Sequence, residues 1–297
     1  MRFIIALVVI KNWKLTQLDI NNAFLHGELD ETIYMDLPPG LMHQNSKQVC
    51  LLHKSLYGLQ QTSRQWYAQL STFLLTHKFT QSFADHSLFI RDIQGKIIII
   101  LVYVDDIIVT GSDPDEIQLI TSLLDQKFKL KNLVNLTYFL GFEIARSHLG
   151  INLSQRKYTM DLLCETGMLN SSPISTPMNF STKLHAYGEP VTDPSAYRRL
   201  IEKLIYLTNT RPDITYAINQ LSQYVSAPTK DHHQVAYRVL RYLKGTVGQG
   251  IFMDAKSDVH LKAYSDSDWA GCIDSRRSVT GYLVYLGNTI IAWKSKK

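Results

Sequence analysis

"ILVYVDDIIVTG", Ile100–Gly111, sets two adjacent aspartates inside the most apolar run of a 297-residue chain. Ile97–Tyr103 and Ile107–Thr110 are rich in β-branched residues and read as two strands separated by almost nothing, which puts Asp105 and Asp106 at a hairpin tip. Strand alternation sends neighbours to opposite faces, so only at a turn can two consecutive carboxylates approach one point. Like charges repel there, and burial disfavours ionised carboxylates. Magnesium removes that cost, because a hard divalent cation prefers carboxylate oxygen. A solvated turn, where Asp is common, explains the pair equally well from the hairpin alone.

A third carboxylate breaks the tie. Asp19 closes the strand-like "KLTQLDI" (14–20), so a second strand brings another aspartate out of an apolar segment. Three carboxylates brought together from two strands are what two-metal phosphoryl transfer uses.

The flanking segments give the architecture. In "DPDEIQLITSLLDQKF" (113–128), Asp113 is an N-cap, Pro114 the first helical residue and Glu116 stands in the capping-box place. Ile117, Ile120, Leu124 and Phe128 then share one face, and capping accounts for the acidic cluster without a metal. "MRFIIALVVIKNW" (1–13) reads as a buried helix, because it lacks a small-residue cleavage site and Lys11, Asn12 and Lys14 end the apolar run too early to cross a bilayer. No membrane partner is expected. "TYFLGFEIAR" (137–146) reads as a strand and "QRKYTMDLLCETGM" (155–168) as a short helix ending at Gly167. Asn170 to Pro194 is rich in Ser, Thr, Pro and Gly and reads as a linker.

Three helices are expected next, over Ser195–Asn209, Pro212–Ser226 and Lys230–Lys244. His232 and His233 have no Cys or carboxylate at ligand spacing and read as solvated helix positions rather than a metal site. Tyr206, Tyr216, Tyr224 and Tyr237 read as core and rim packing before base-stacking platforms. The segments 259–271, 278–287 and 289–297 return to period two and read as a three-stranded antiparallel meander.

With 45% hydrophobic and 19% charged residues, the composition is that of a globular protein. The net charge of +5 is uneven: Lys and Arg against Asp and Glu stand at 15 to 16 over residues 1–179 and at 16 to 10 over 180–297. A surplus of that size suits either a polyanionic partner or a solvated surface. Cys50, Cys164 and Cys272 are isolated, with no Cys-x-x-Cys pair, which points to a reduced, intracellular protein without a zinc site.

Five ordered blocks carry a family resemblance: "QLDINNAFLHGELDETIYMDLPPG" (17–40), "SLYGLQQTSRQWY" (55–67), "LVYVDDIIVTGS" (101–112), "YFLGFEIA" (138–145) and "LSQRKYTMDLL" (153–163). In this order they resemble the reverse transcriptase of copia-type LTR retrotransposon Pol polyproteins. Residues 204–246 resemble the segment that follows it, and 263–297 the opening of its ribonuclease H domain. The resemblance implies an α+β fold: a polymerase palm of antiparallel sheet and helices over 1–175, a linker and helical thumb- or connection-like segment over 176–258, and the first strands of a ribonuclease H-like fold over 259–297.

The same resemblance implies RNA-directed DNA polymerase activity by two-metal nucleotidyl transfer. Its cofactors would be two Mg²⁺ ions, with Mn²⁺ as a substitute, and its partners an RNA or DNA template-primer and deoxynucleotides. The compartment would be cytoplasm or nucleus, although no targeting run is visible. Asp19 and Asp105 match the carboxylates that bridge the metals, with Asp106 supporting. Phe24 matches the bulky gate that excludes a ribose 2′-hydroxyl. Tyr57 and Gly58 match the loop beneath the templating base pair, where glycine permits close backbone approach. Gln60 stands where Lys is usual, and Ser63 and its neighbours where an Ala-Pro pair is usual. Gly141 matches a palm strand near the primer. Asp266 matches the first metal-binding carboxylate of ribonuclease H, with Asp268 on the same strand face if that strand continues.

The family's fingers, which bring basic residues to the incoming triphosphate, are expected to be missing ahead of 1–13, as are the remaining ribonuclease H carboxylates beyond 297. Ribonuclease H activity is therefore not expected. Two readings stay open for the rest: a polymerase fragment, or an inactive retrotransposon relic that keeps its aspartates and at most binds nucleic acid.

Overall fold

The apolar strands around Asp105 and Asp106 are long enough to build a sheet, and in the computed structural model, which describes residues 1–40, 48–133, 136–179 and 181–297, they are the two middle strands of a six-stranded sheet. The chain divides into two compact units, Trp13–Leu136 and Met1–Asn12 with Thr137–Lys297. In chain order the elements are α1 (Arg2–Ile10), β1 (Lys14–Ile20), a 3₁₀ turn (Ala23–His26), β2 (Glu28–Asp36), β3 (Val49–Lys54), α2 (Thr62–Thr76), β4 (Thr80–Gln81), β5 (Leu88–Ile93), β6 (Lys96–Tyr103), β7 (Asp106–Gly111), α3 (Pro114–Phe128) and β8 (Leu130–Leu133). Then come β9 (Tyr138–Phe139), β10 (Phe142–Ser147), β11 (Gly150–Ser154), α4 (Arg156–Glu165), α5 (Pro194–Leu207), a 3₁₀ turn (Pro212–Ile214), α6 (Thr215–Ser222), α7 (Lys230–Gly245), β12 (Gly250–Asp254), β13 (Leu261–Ser267), β14 (Thr280–Leu286) and β15 (Thr289–Lys296).

In the unit 13–136, an antiparallel sheet runs in the order β4-β5-β6-β7-β1-β8, and β2 pairs with β3 in a separate ribbon. Period-two alternation gives each strand one face for the helices. Leu18 and Ile20 of β1, Ile107 and Val109 of β7, and Ile98 and Ile100 of β6 join Trp66, Leu70 and Leu74 of α2 and Ile120, Leu124 and Phe128 of α3 in one buried cluster. α3 starts as the sequence suggests: the Asp113 side chain accepts from the amides of Asp115 and Glu116, with Pro114 in the first turn. Glu116 does not complete a capping box. Its carboxylate is taken by Arg91, a side chain 8% exposed, at 2.6 Å, which ties β5 to α3.

In the other unit, β12-β11-β10-β9 form one antiparallel sheet and β13-β14-β15 another, and α4 to α7 share a second apolar cluster. The segment 137–146 is not one strand. It breaks into β9 and β10 at Leu140 (φ 51°) and Gly141 (φ 82°), whose left-handed backbone reverses the chain in two residues. The three expected helices form, the middle one shortened to α6 behind the Pro212 turn. His232 is not solvated: it is fully buried, its Nδ1 accepts from the Thr229 amide in a capping box at the start of α7, and its ring stacks on Tyr224 at 4.0 Å.

The architecture is thus mixed α+β with several antiparallel sheets. Among the described residues, no helix is long and apolar enough to cross a membrane.

Candidate functional site

β1 and β7 pair antiparallel from Lys14 opposite Gly111 to Asp19 opposite Asp106. Leu18 and Ile20 on one strand and Ile107 on the other face the helices, so alternation sends Asp19 and Asp106 to the other face of the sheet, side by side. The Ile20 amide donates to the Asp105 carbonyl at 3.0 Å, which ties the hairpin tip to the end of β1. The backbone therefore gathers all three aspartates at one end of the two strands.

The electrostatics register that crowding. The Asp19 carboxyl is pushed above its ordinary value, by burial first and then by the charges of Asp105 and Asp106. Lys131, its partner across the β1–β8 pairing, pulls the other way. Asp106 has a different neighbour: Gln17 Nε2 donates to its Oδ1 at 3.0 Å.

The hairpin between β6 and β7 turns in two residues, with Tyr103 opposite Asp106 and Val104 and Asp105 as the loop. Val104 has φ 56°, the sign that tight hairpin turns need at their first loop position and one that a β-branched residue adopts only under strain. Trp66 of α2 donates its indole N–H to the Val104 carbonyl at 2.7 Å.

Phe24 and Tyr57 meet. Phe24 lies in the 3₁₀ turn directly after β1, and its ring packs edge-on against Tyr57 at 4.9 Å between centroids. Tyr57 is exposed on its outer side. Gly58 has φ 100° with open space where a side chain would begin, so within this chain glycine is needed there for its backbone conformation.

Asp266 is an exposed residue of β13, opposite Gly281 of β14. β13 ends at Ser267, so Asp268 leaves the strand, and its Oδ1 accepts from the amides of Gly271 and Val279, stapling the following loop. Both aspartates line a cleft of about 500 Å³ with Tyr216, Tyr264 and Trp293.

Asp19, Asp105 and Asp106 are hard oxygen donors; burial and, after it, repulsion from Asp105 and Asp106 raise the Asp19 carboxyl, and a divalent cation would relieve the repulsion. The donor chemistry fits magnesium or manganese. As the side chains stand, no three His, Cys, Asp or Glu groups among the described residues converge closely enough to hold an ion. Sequence reasoning missed two residues here. Gln17 carried a signal, since it shares the face of Asp19 two positions on; Trp66 reads only as a core residue of an amphipathic helix.

Comparisons with known proteins give the family. The family described as reverse transcriptase (RNA-dependent DNA polymerase) matches residues 1–180. The chain is 46% identical over 298 residues to the retrovirus-related Pol polyprotein from transposon RE1 of Arabidopsis thaliana, and 47% identical over 298 residues to that from transposon RE2 of the same plant, in each case over the whole of this chain and 20% of the relative. It is 36% identical over 307 residues to the Pol polyprotein from transposon TNT 1-94 of Nicotiana tabacum, covering 99% of this chain and 23% of that protein. The chain thus spans about a fifth of the length of these curated relatives. It belongs to the reverse transcriptase (RNA-dependent DNA polymerase) family, as part of the reverse transcriptase region of a copia-type Pol polyprotein.

Proposed function

We propose that residues 1–175, which include the unit 13–136, make a polymerase palm, and that Asp19, Asp105 and Asp106 form the centre at which a primer is extended with deoxynucleotides on an RNA or DNA template. The observation that carries this reading is the pairing of Asp19 opposite Asp106, with the Asp105 carbonyl held by the next amide of β1. Asp19 and Asp105 would hold two Mg²⁺ ions, or Mn²⁺ in their place, with Asp106 in support. Those ions, when bound, lower the pKa of the attacking hydroxyl and neutralise charge on the transferred phosphoryl group. The chain's own residues orient the carboxylates on a rigid strand pair. The Phe24–Tyr57 aromatic pair forms a wall beside the incoming sugar, with Phe24 against its 2′ position and Tyr57 and Gly58 beneath the templating base pair.

In the other unit, the helices α5 to α7 are proposed as the thumb- or connection-like segment, and β13 to β15 as the start of a ribonuclease H-like fold that carries Asp266. Primer extension on an RNA template with Mg²⁺, run beside Asp105→Asn, tests the polymerase reading. Extension by the unmodified chain and its loss in the variant are expected. No extension by the unmodified chain would leave it as an inactive relic of the family, and equal products from both would remove Asp105 from the centre.

A further inference from the structure

We propose that Gln17 is a positioning residue, whose side-chain amide fixes the Asp106 carboxylate so that Oδ2 is the oxygen offered to a divalent cation. This inference rests on the metal-centre reading above and adds a residue to it.

Alternation along β1 places Gln17 and Asp19 on one face, and the register sets Gln17 opposite Ile108 and Asp19 opposite Asp106. Asp106 is therefore the diagonal neighbour of Gln17, a span of about 7–8 Å between such positions that a long side chain bridges. It does so at 3.0 Å, Nε2 to Oδ1. Gln17 is 8% exposed, so water does not compete strongly for this bond. A buried amide would be costly without a partner, and a carboxylate is a strong acceptor.

The donor's lack of charge matters as much as its reach. Asp19 is already crowded by Asp105 and Asp106. A lysine or arginine at position 17 would supply the positive charge itself and weaken the attraction for an ion. A carboxamide orients Asp106 and leaves its full negative charge available.

The test is Mn²⁺ binding by the full chain, read from the electron paramagnetic resonance signal of the free ion, with folding checked by circular dichroism. Gln17→Met, which keeps the length and removes the donor, is expected to weaken Mn²⁺ binding about tenfold or more, the usual effect of losing a group that orients a metal ligand. Gln17→Asn keeps the chemistry but falls one methylene short, and carries the same expectation should the methionine variant not fold. In an Asp106→Asn background either change is expected to add nothing, because Gln17 acts through Asp106. A folded Gln17 variant with unchanged Mn²⁺ affinity would overturn the proposal, as would losses that simply add to that of Asp106→Asn. Absence of Mn²⁺ binding by the unmodified chain would instead overturn the metal-centre reading, and this proposal with it.

Discussion

The indole N–H of Trp66 donates to the carbonyl oxygen of Val104 across 2.7 Å, so a core residue of α2 holds the turn that carries Asp105. Trp66 is 2% exposed and packs edge-on against Phe128. Trp66→Phe keeps most of that packing and loses the donor. It is expected to cost about 1–2 kcal/mol in urea unfolding and to slow primer extension, because the turn loses its brace. Unchanged stability and rate would separate the turn from the helix.

Val104 is the strained member of the same turn. A left-handed backbone at φ 56° costs a β-branched residue about 1–2 kcal/mol, a penalty glycine does not bear. Val104→Gly is therefore expected to leave the unfolding midpoint no lower than that of the unmodified chain, against the usual cost of a new glycine. A clear drop in midpoint would mean that the valine side chain contributes more than its backbone costs.

Gly141 stands at φ 82°, and a Cβ there would lie 2.0 Å from the Tyr206 hydroxyl oxygen. That hydroxyl donates to the Leu140 carbonyl at 3.0 Å, so the β9–β10 turn and α5 are fitted to each other. Gly141→Ala is expected to destabilise the fold by about 2 kcal/mol or more. Tyr206→Phe alone costs about 1 kcal/mol through the lost hydrogen bond. The double variant is expected to be more stable than the sum of the two by about 1 kcal/mol, since the phenylalanine clears the space the alanine needs. Simple additivity in a double-mutant cycle would count against the fitted contact.

His232 gives the fold a pH dependence. Burial pushes its imidazole below the ordinary value, while the His185 backbone, Asp231 and Asp274 pull upward without overcoming it. Its folded-state pKa is therefore depressed, and the unfolded chain takes up a proton more readily than the folded one. Above about pH 6.5 both states are neutral at this site and stability does not change; below it, stability falls with pH until the folded pKa is reached. His232→Gln is expected to flatten that limb of a plot of unfolding free energy against pH, while lowering the plateau because the stacking on Tyr224 is lost.

Phe24, within the proposed sugar wall, is expected to govern the choice between deoxy- and ribonucleotides. Phe24→Ala opens the space beside Tyr57, and incorporation of ribonucleotides relative to deoxynucleotides is expected to rise about tenfold or more. An unchanged ratio, with extension retained, would remove Phe24 from that role.

The elements around Asp105 are legible in the sequence because their signals are local: β-branched runs for β6 and β7, and an Asp-Pro start for α3. What the sequence hides is decided by partners far along the chain. Glu116 looks like half of a capping box until Arg91, 25 residues away, takes its carboxylate. His232 looks solvated because its burial depends on Tyr224 of the preceding segment. Gly141 inside an apolar run was a local hint of the break in 137–146, since an isolated glycine in a strand pattern often marks one. The bonds from Gln17 and Trp66 depend on strand register and helix packing, which no pattern within either segment encodes.

The pairing of Asp19 with Asp106 also bears on how the chain finds its fold. If β1 slipped one residue along β7, Asp19 would turn toward the helices, among Leu70, Leu124 and their neighbours, and Leu18 would take its place on the opposite face. An ionised carboxylate in that apolar layer costs several kcal/mol, more than a mispaired strand could recover elsewhere. The aspartate therefore weights the register: the charge that the proposed centre would use is also a penalty on the one-residue slip.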